Sequence, residues 1–371
     1  MRLKPVDNLL YLWMKARKAA DKRATDISAF KPNGIKNILV VSSTAIGDTL
    51  LSTPAFRAVR KKFPKAKIIA LLNKGNMELF ENNPNLDGIV PYYGGYKRFF
   101  PTIKELKKFN FDLALIFHGN EPQATPMCYL AGAQFIMKLP NSSQYNFLLS
   151  NRSPIVKWED MGHGITGRLM VAGLAHCRSA GERMELVIDE PSRKKAADYL
   201  AGEGVKKNEI LIGFQAGAST VSRQWFAPGY IELGKRLLKD IPHSRVVITG
   251  SPSEVKLGSE IQKGIGDRAI LAAGKLKLKE AAALIDRLDA LVTGDTGPMH
   301  IAISLGTPVV ALYAVADARK TGPLYDKGKH FVIQKPRTCE PCVSKKCEYQ
   351  KCMEAISVDE VERAVKQVIS K

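Results

Sequence analysis

The sequence lacks any run of about 18 uninterrupted apolar residues, the length a membrane-spanning helix needs, and it lacks an N-terminal apolar stretch ending in small residues. Neither a span nor a secretory signal is therefore expected, and the expected compartment is the cytoplasm. Internal repeats at periods of roughly 20 to 50 residues and low-complexity tracts are also missing, which sets solenoids aside. Acidic residues are scarce beside basic ones: 36 Asp and Glu stand against 56 Lys and Arg, a formal net charge of +20. A surplus of that sign calls for an anionic partner, which is nucleic acid, anionic lipid or a phosphorylated substrate. Nucleic acid ranks last of the three, because the cations are not interleaved with aromatics and no nucleic-acid motif occurs. The 6 cysteines are few. Besides Cys128 and Cys177 they crowd into one late segment, and in a reducing compartment they are expected as thiols or metal ligands.

What is present is enough apolar residue, 45% of 371, for two cores, since single cores stop growing at roughly 250 to 300 residues. A strand and helix rhythm begins at Asn37: apolar runs at 38–41, 67–72, 88–91 and 112–117, with a helical stretch over 49–63. Runs without alternation mean burial on both faces, hence a parallel sheet covered by helices. The rhythm restarts at 210–214, continues at 245–249, 269–271 and 290–293, and ends at 309–312, with helical patterns near 228–240, 253–264, 278–287 and 298–305. The charged stretch opening at Pro191 marks the boundary, so the domains are read as 36–190 and 191–371. Residues 1–35 stand apart: Leu9, Leu10, Leu12, Trp13 and Met14 lead into Lys15, Arg17, Lys18, Lys22 and Arg23. This segment reads equally as an interfacial amphipathic helix on anionic lipid and as a helix packed on the protein's own surface. Ligands bind outside the carboxyl ends of such sheets, so the fold class is α/β with two Rossmann-like doubly wound domains, and the active site is expected in a cleft where they face each other.

Three segments carry chemistry. Residues 42–54 follow the first strand and hold a single glycine, Gly47, so they form neither a dinucleotide fingerprint nor a P-loop. Asp48, on a loop with Thr44, is placed to take a proton from an attacking hydroxyl. On composition alone a helix cap is the commoner role for such an Asp. In residues 293–300, Pro298 belongs in a helix's first turn, which sets the amides around Thr296 and Gly297, beside Asp295, at the helix N-terminus. A diphosphate seat is favoured there over a turn with an Asp or Thr cap, and His300 reads as a packed or capping residue. In residues 215–225, Ser219 and Thr220 followed by Arg223 suit phosphate oxygens, while Trp225 reads as packing. Finally, Cys339, Cys342, Cys347 and Cys352 are close enough in sequence for a structural zinc, but lack the paired pattern of a zinc ribbon; a loop of free thiols is the commoner alternative.

In these motifs the chain resembles glycosyltransferase family 9, the ADP-heptose:lipopolysaccharide heptosyltransferases. The resemblance runs from about Asn37 to the C-terminus and is most specific at 43–54 and 295–312. It also covers 274–278, Leu276 among them, whose family counterpart packs near the adenine, and Gly250 with Glu254, where the family contacts the nucleoside. The cysteine cluster followed by Met353 and Ile356 recurs in many members. The resemblance implies a GT-B architecture, with acceptor on the N-terminal domain, nucleotide sugar on the C-terminal one, and an inverting displacement at the anomeric carbon. It implies Asp48 as base, Ser219, Thr220, Thr296 and Gly297 holding the diphosphate, Arg223 neutralising the leaving group, and Asp295 binding the sugar or positioning its loop. No metal cofactor is then required for the chemistry, in keeping with the lack of a DxD-like pair. The implied partners are a nucleotide-sugar donor, an anionic lipid-linked saccharide acceptor and the inner face of a bacterial inner membrane, met as a peripheral protein. Arg223 stands where the family's best-known branch has Lys, and the basic segment before Asn37 is not shared, so heptose as the sugar follows from kinship rather than from residues. A nucleotide-sugar epimerase on the same architecture is the alternative, and its cleft would bind the nucleotide sugar alone. A lipid-linked acceptor instead predicts a basic membrane-facing surface, for which 1–35 and 97–108 supply the Lys and Arg.

Overall fold

A computed structural model describes residues 5–340, 342 and 347–370. The chain divides into two compact units, Met1–Glu185 and Leu186–Lys371. In the first, helix α1 (Pro5–Ala19) precedes β1 (Asn37–Ser42), α2 (Ile46–Leu50), α3 (Thr53–Lys62), β2 (Lys67–Asn73), β3 (Gly88–Tyr92), α4 (Phe99–Lys107), β4 (Leu113–His118), α5 (Ala124–Leu130), β5 (Phe135–Lys138) and α6 (Gly164–Leu174). Its strands are parallel in the order β3-β2-β1-β4-β5. The central pair is what the apolar runs dictate: Ile38, Leu39, Val40 and Val41 are fully buried and pair with β2 on one side and β4 on the other. Burying each such side chain contributes roughly 1.5 to 3 kcal/mol, which only a sheet covered on both faces provides.

The helix expected over 49–63 is instead two. Pro54 has no amide hydrogen with which to continue the helix, and the Leu50 carbonyl accepts from Thr53 Oγ1 (2.7 Å) in its place. The break turns α2 and α3 into separate elements. The N-terminal segment does not stand apart from the domain. Leu10 and Met14 are part of the first unit's core, and the buried Asp7 accepts a hydrogen bond from Tyr96 Oη (2.6 Å).

The second unit opens with α7 (Glu190–Gly202), capped by Asp189, which accepts from Ser192 N (2.9 Å). Then come β6 (Ile210–Gln215), α8 (Ala227–Asp240), β7 (Ser244–Thr249), α9 (Val255–Ile265), β8 (Ala269–Leu271), α10 (Leu278–Ile285), β9 (Ala290–Gly294), α11 (Gly297–Leu305), β10 (Val309–Tyr313), α12 (Ala318–Thr321), β11 (Phe331–Gln334), α13 (Lys351–Glu354) and α14 (Val358–Ile369). The parallel order is β11-β10-β9-β6-β7-β8, so both sheets place their first and fourth strands side by side at the centre. Strand β11 continues the sheet past the expected last strand. It is an edge strand with half of its side chains outward, and its apolar run, Phe331 to Ile333, is only three residues long.

Helix α14 buries Val361, Ala364, Val365 and Val368 at helical spacing and starts with a capping box between Ser357 and Glu360. The Lys335 ammonium and the Ser357 amide hold the Glu360 carboxyl down at about 2. Its ordinary unfolded value is about 4.3. Because the folded value is the lower one, this stabilisation is fully present above the unfolded value and is lost as pH falls from there towards 2. Thermal denaturation between pH 6 and 2 should therefore show a Glu360→Gln variant less stable than the parent at neutral pH, the gap closing at the acid end; a gap independent of pH would count against the ion pair.

The four cysteines of the late segment differ in their surroundings. Cys352 is buried and accepts from Thr338 N (3.3 Å), Cys339 is exposed, and among the described residues no three His, Cys, Asp or Glu side chains gather for a metal ion. Residues 341 and 343–346 of this loop lie outside the described residues.

Candidate active site

In an open parallel sheet the loops leaving neighbouring strands part to opposite faces where the strand order reverses, and the gap between them receives ligands. In the first unit that point lies between β1 and β4. Both strands end there in polar residues. Asp48, in the first turn of α2, does not cap it: the cap position is Ala45, which makes no side-chain bond. The capping role therefore fails, and the carboxylate is held by side chains from other elements instead. Arg168 Nη2 donates to its Oδ1 (2.9 Å) and Thr44 Oγ1 donates to its Oδ2 (2.8 Å), while His118 Nε2 stands 3.5 Å from Oδ1. Thr44 Oγ1 is also 2.7 Å from His118 Nδ1. Both short contacts are satisfied when Nδ1–H donates to Oγ1 and Oγ1–H donates to the carboxylate.

Arg168 comes from α6, buried, with its remaining donors on Ser52 Oγ (3.1 Å) and the Gly164 carbonyl (2.9 Å). Burial pushes its pKa down and the facing Asp48 carboxylate opposes that shift. Asn76 Nδ2 donates to the Thr44 carbonyl (3.1 Å) and fixes the loop from the β2 side. Gly47 lies inside α2, where its carbonyl accepts from Leu51 N (2.9 Å). The Asp48 side chain keeps 27% of its surface open, so a carboxylate fixed by two donors still reaches solvent. A carboxylate oriented in this way can accept a proton from a hydroxyl brought to its exposed edge.

The corresponding point of the second unit lies between β6 and β9. Arg223 ends a single 3-10 turn, Val221–Arg223, and its Nη1 stands 3.2 Å from Asp295 Oδ2. A Cβ on Gly294 would come within 2.6 Å of the Arg223 carbonyl, so only glycine at the end of β9 lets the Arg223 turn lie there. Asp295 Oδ1 accepts from Thr321 Oγ1 (3.1 Å) and lies 3.5 Å from Tyr313 Oη. Burial and this neighbouring carboxylate raise the Tyr313 pKa well above the usual phenol range. Thr296 is the N-cap of α11 but its hydroxyl pairs with Thr293 Oγ1 (2.9 Å) instead of an amide. The first-turn amides of a helix have no intrahelical partner, and here no cap side chain covers them. An arginine beside an uncapped helix N-terminus is a seat for an anion.

Glu254 joins the same loop cluster. Its Oε2 accepts from Ser251 N (2.6 Å), and its Oε1 lies where a Cβ on Gly217 would be, at 1.6 Å. Glycine at 217 thus lets the carboxylate rest on the backbone that follows β6. Ser219 is exposed and Thr220 half-buried on that backbone, with Thr220 Oγ1 accepting from Ser222 Oγ (3.3 Å). The turn carrying Leu276, half-buried, is tied to the end of β7 by Gly274 N on the Gly250 carbonyl (3.0 Å). His300 is buried, with Nε2 3.9 Å from Asp295 Oδ1, and Trp225 is core, its Nε1 donating to the Ile356 carbonyl (3.1 Å).

Each unit therefore gathers its expected residues at its own switch point: Thr44 and Asp48 in the first, Arg223, Asp295, Thr296 and Gly297 in the second. The sequence reading missed Arg168, His118 and Asn76. His118 ends an apolar run and was readable as a strand-end residue, whereas Arg168 lies 120 positions from Asp48 and carries no local signal.

The sequence model of the family described as glycosyltransferase family 9 (heptosyltransferase) matches residues 102–353. The lipopolysaccharide core heptosyltransferase OpsX of Haemophilus influenzae is 25% identical over 297 residues, covering 78% of this chain and 82% of its own length. The solved glycosyl transferase family 9 protein of Veillonella parvula superposes with a TM-score of 0.75 at 22% identity, over 90% of this chain and 97% of that one. The E. coli ADP-heptose lps heptosyltransferase II superposes at 0.74 and 22%, over 90% and 98%. The two doubly wound sheets are thus the GT-B fold of these enzymes.

Proposed function

Because this chain belongs to glycosyltransferase family 9 and is a glycosyltransferase, we propose that it transfers a heptosyl group from ADP-heptose to a lipopolysaccharide-core acceptor, with inversion at the anomeric carbon. In this reading an acceptor hydroxyl attacks the anomeric carbon while Asp48 takes its proton. The bond to the donor's diphosphate breaks on the opposite side of that carbon, and ADP leaves with the bonding pair. Arg223 and the amides at Thr296 and Gly297 neutralise the charge growing on the diphosphate, with Ser219 and Thr220 contributing hydroxyls; donors fixed in advance favour the transition state over the ground state. Asp295 positions Arg223 and the loop, while Glu254 and the Leu276 turn take the nucleoside. With a guanidinium and a helix N-terminus on the leaving group, the reaction proceeds without a metal cofactor. The acceptor is lipid-linked and anionic, so the protein works from the cytoplasm as a peripheral protein on the inner face of the inner membrane. A nucleotide-sugar epimerase is not favoured, since the family and its curated relatives are transferases.

The observation that carries the reading is Arg223 set beside the uncapped N-terminus of α11. The test is a thermal-shift titration with ADP, UDP and GDP, run in parallel on a Gly217→Ala variant. ADP should stabilise the parent selectively. The variant, whose new methyl displaces Glu254, should bind ADP about tenfold more weakly, a loss of about 1.4 kcal/mol. No response to any nucleotide would remove the donor site, and an unchanged affinity in the variant would remove Glu254 from it.

A further inference from the structure

Helix α1 is apolar over more of its circumference than the first unit covers. At about 100° per residue, Leu10 and Met14 fall on the arc turned into the core, while Val6, Leu9, Leu12 and Trp13 fall on an adjoining arc of about 120°. That second arc is bare: Leu9 is 68%, Leu12 63% and Trp13 38% exposed. It does not end at the helix. Phe100, in the first turn of α4, is 66% exposed with its ring centroid 6.3 Å from that of Trp13. Two elements distant in sequence thus bring aromatic rings to one patch, and large apolar side chains gathered on a surface mark an interaction site.

The exposed charge around the patch is predominantly basic. The Arg17 guanidinium lies 5.6 Å from the Trp13 ring centroid, Lys97 and Arg98 are exposed in the turn before Phe100, and Lys104 is exposed one helical turn after it. The acids of the two helices are Asp7, buried on Tyr96, and Glu105. A second copy of the chain is a poor fit, because a self-complementary contact would set these same cations face to face. A sheet of lipid phosphates is complementary: Trp and Phe suit the boundary between headgroups and acyl chains, and Lys and Arg suit the phosphates above it.

We propose that the patch of Leu9, Leu12, Trp13 and Phe100, rimmed by Arg17, Lys97, Arg98 and Lys104, is the surface by which this protein docks on an anionic lipid bilayer. The inference rests on the peripheral reading given under Proposed function and names the face that carries it. It is independent of donor and acceptor chemistry.

The test is co-sedimentation of the full chain with phosphatidylcholine vesicles, with and without phosphatidylglycerol, for the parent and a Leu9→Ser, Trp13→Ser, Phe100→Ser variant. The parent should bind the phosphatidylglycerol vesicles and release as salt rises. The variant should bind them at least about tenfold more weakly. Its melting temperature and ADP response should match the parent's, since all three side chains are exposed. A blue shift of tryptophan emission on vesicles, absent in Trp13→Phe, would place that ring in the bilayer. Equal binding by parent and variant would overturn the assignment of the face while leaving peripheral association standing. A parent that ignores both vesicle types would overturn the two together, and a parent dimer that the variant dissolves, without vesicle binding, would give the patch to a second copy.

Discussion

Asp48→Asn is expected to lower kcat about a thousandfold while leaving the ADP response intact, a general base being worth roughly 10² to 10⁴ in rate. Asn keeps the shape of the side chain and can still accept from Arg168, so the position of the side chain survives while proton acceptance is lost. The substitution also removes the counter-charge of a buried guanidinium. Removing one partner of a buried pair costs roughly 3 to 5 kcal/mol, though Asp48 keeps 27% of its side chain open and the cost here should fall below that range. The melting temperature should therefore drop, and an Asp48→Asn, Arg168→Met double variant should recover part of that drop without recovering activity. If the single variant keeps activity within tenfold of the parent, proton acceptance at Asp48 is not part of the rate-limiting step.

Arg223→Ala should lower kcat by about 10² to 10³ with a smaller change in KM, because the charge it neutralises is largest as the diphosphate departs. Asp295 then loses its guanidinium neighbour but keeps Thr321. Arg223→Lys should restore most of the rate: an ammonium returns the charge without the two-pronged donor geometry. Steady-state kinetics on the three proteins separate the roles, since a KM effect of equal size in Ala and Lys would mean that Arg223 binds the ground state and does not assist departure.

Most of the sheet was legible in the sequence because the central strands are buried on both faces and so read as unbroken apolar runs. Ile38 to Val41 and Ala290 to Val292 are the plainest cases. Of the four edge strands, β3 and β8 were read and β5 and β11 were not. The apolar runs of those two, 135–137 and 331–333, are only three residues long and stand without a clear helical pattern leading into the next strand. Helix α14 was readable after the fact from the Ser357 and Glu360 pair ahead of its valines. At the candidate site, the segments after β1, β6 and β9 announced themselves by position at a strand end. The behaviour of Asp48 could not be read locally: an Asp near a helix start suggests a cap, and the three groups that hold its carboxylate come from before it, from β4 and from α6. Long-range polar contacts leave no periodicity.

That separation also sets a clock. A ribosome delivers Asp48 together with Thr44 but long before Arg168, which follows 120 residues later, so the nascent β1–α2 segment lacks its guanidinium until α6 has emerged. Thr44, Asn76, His118 and Arg168 all precede Leu186, so the clamp is complete in sequence before the second unit is translated. Every group of that clamp is thus supplied from within the first unit, and none of it waits on the chain that follows residue 185.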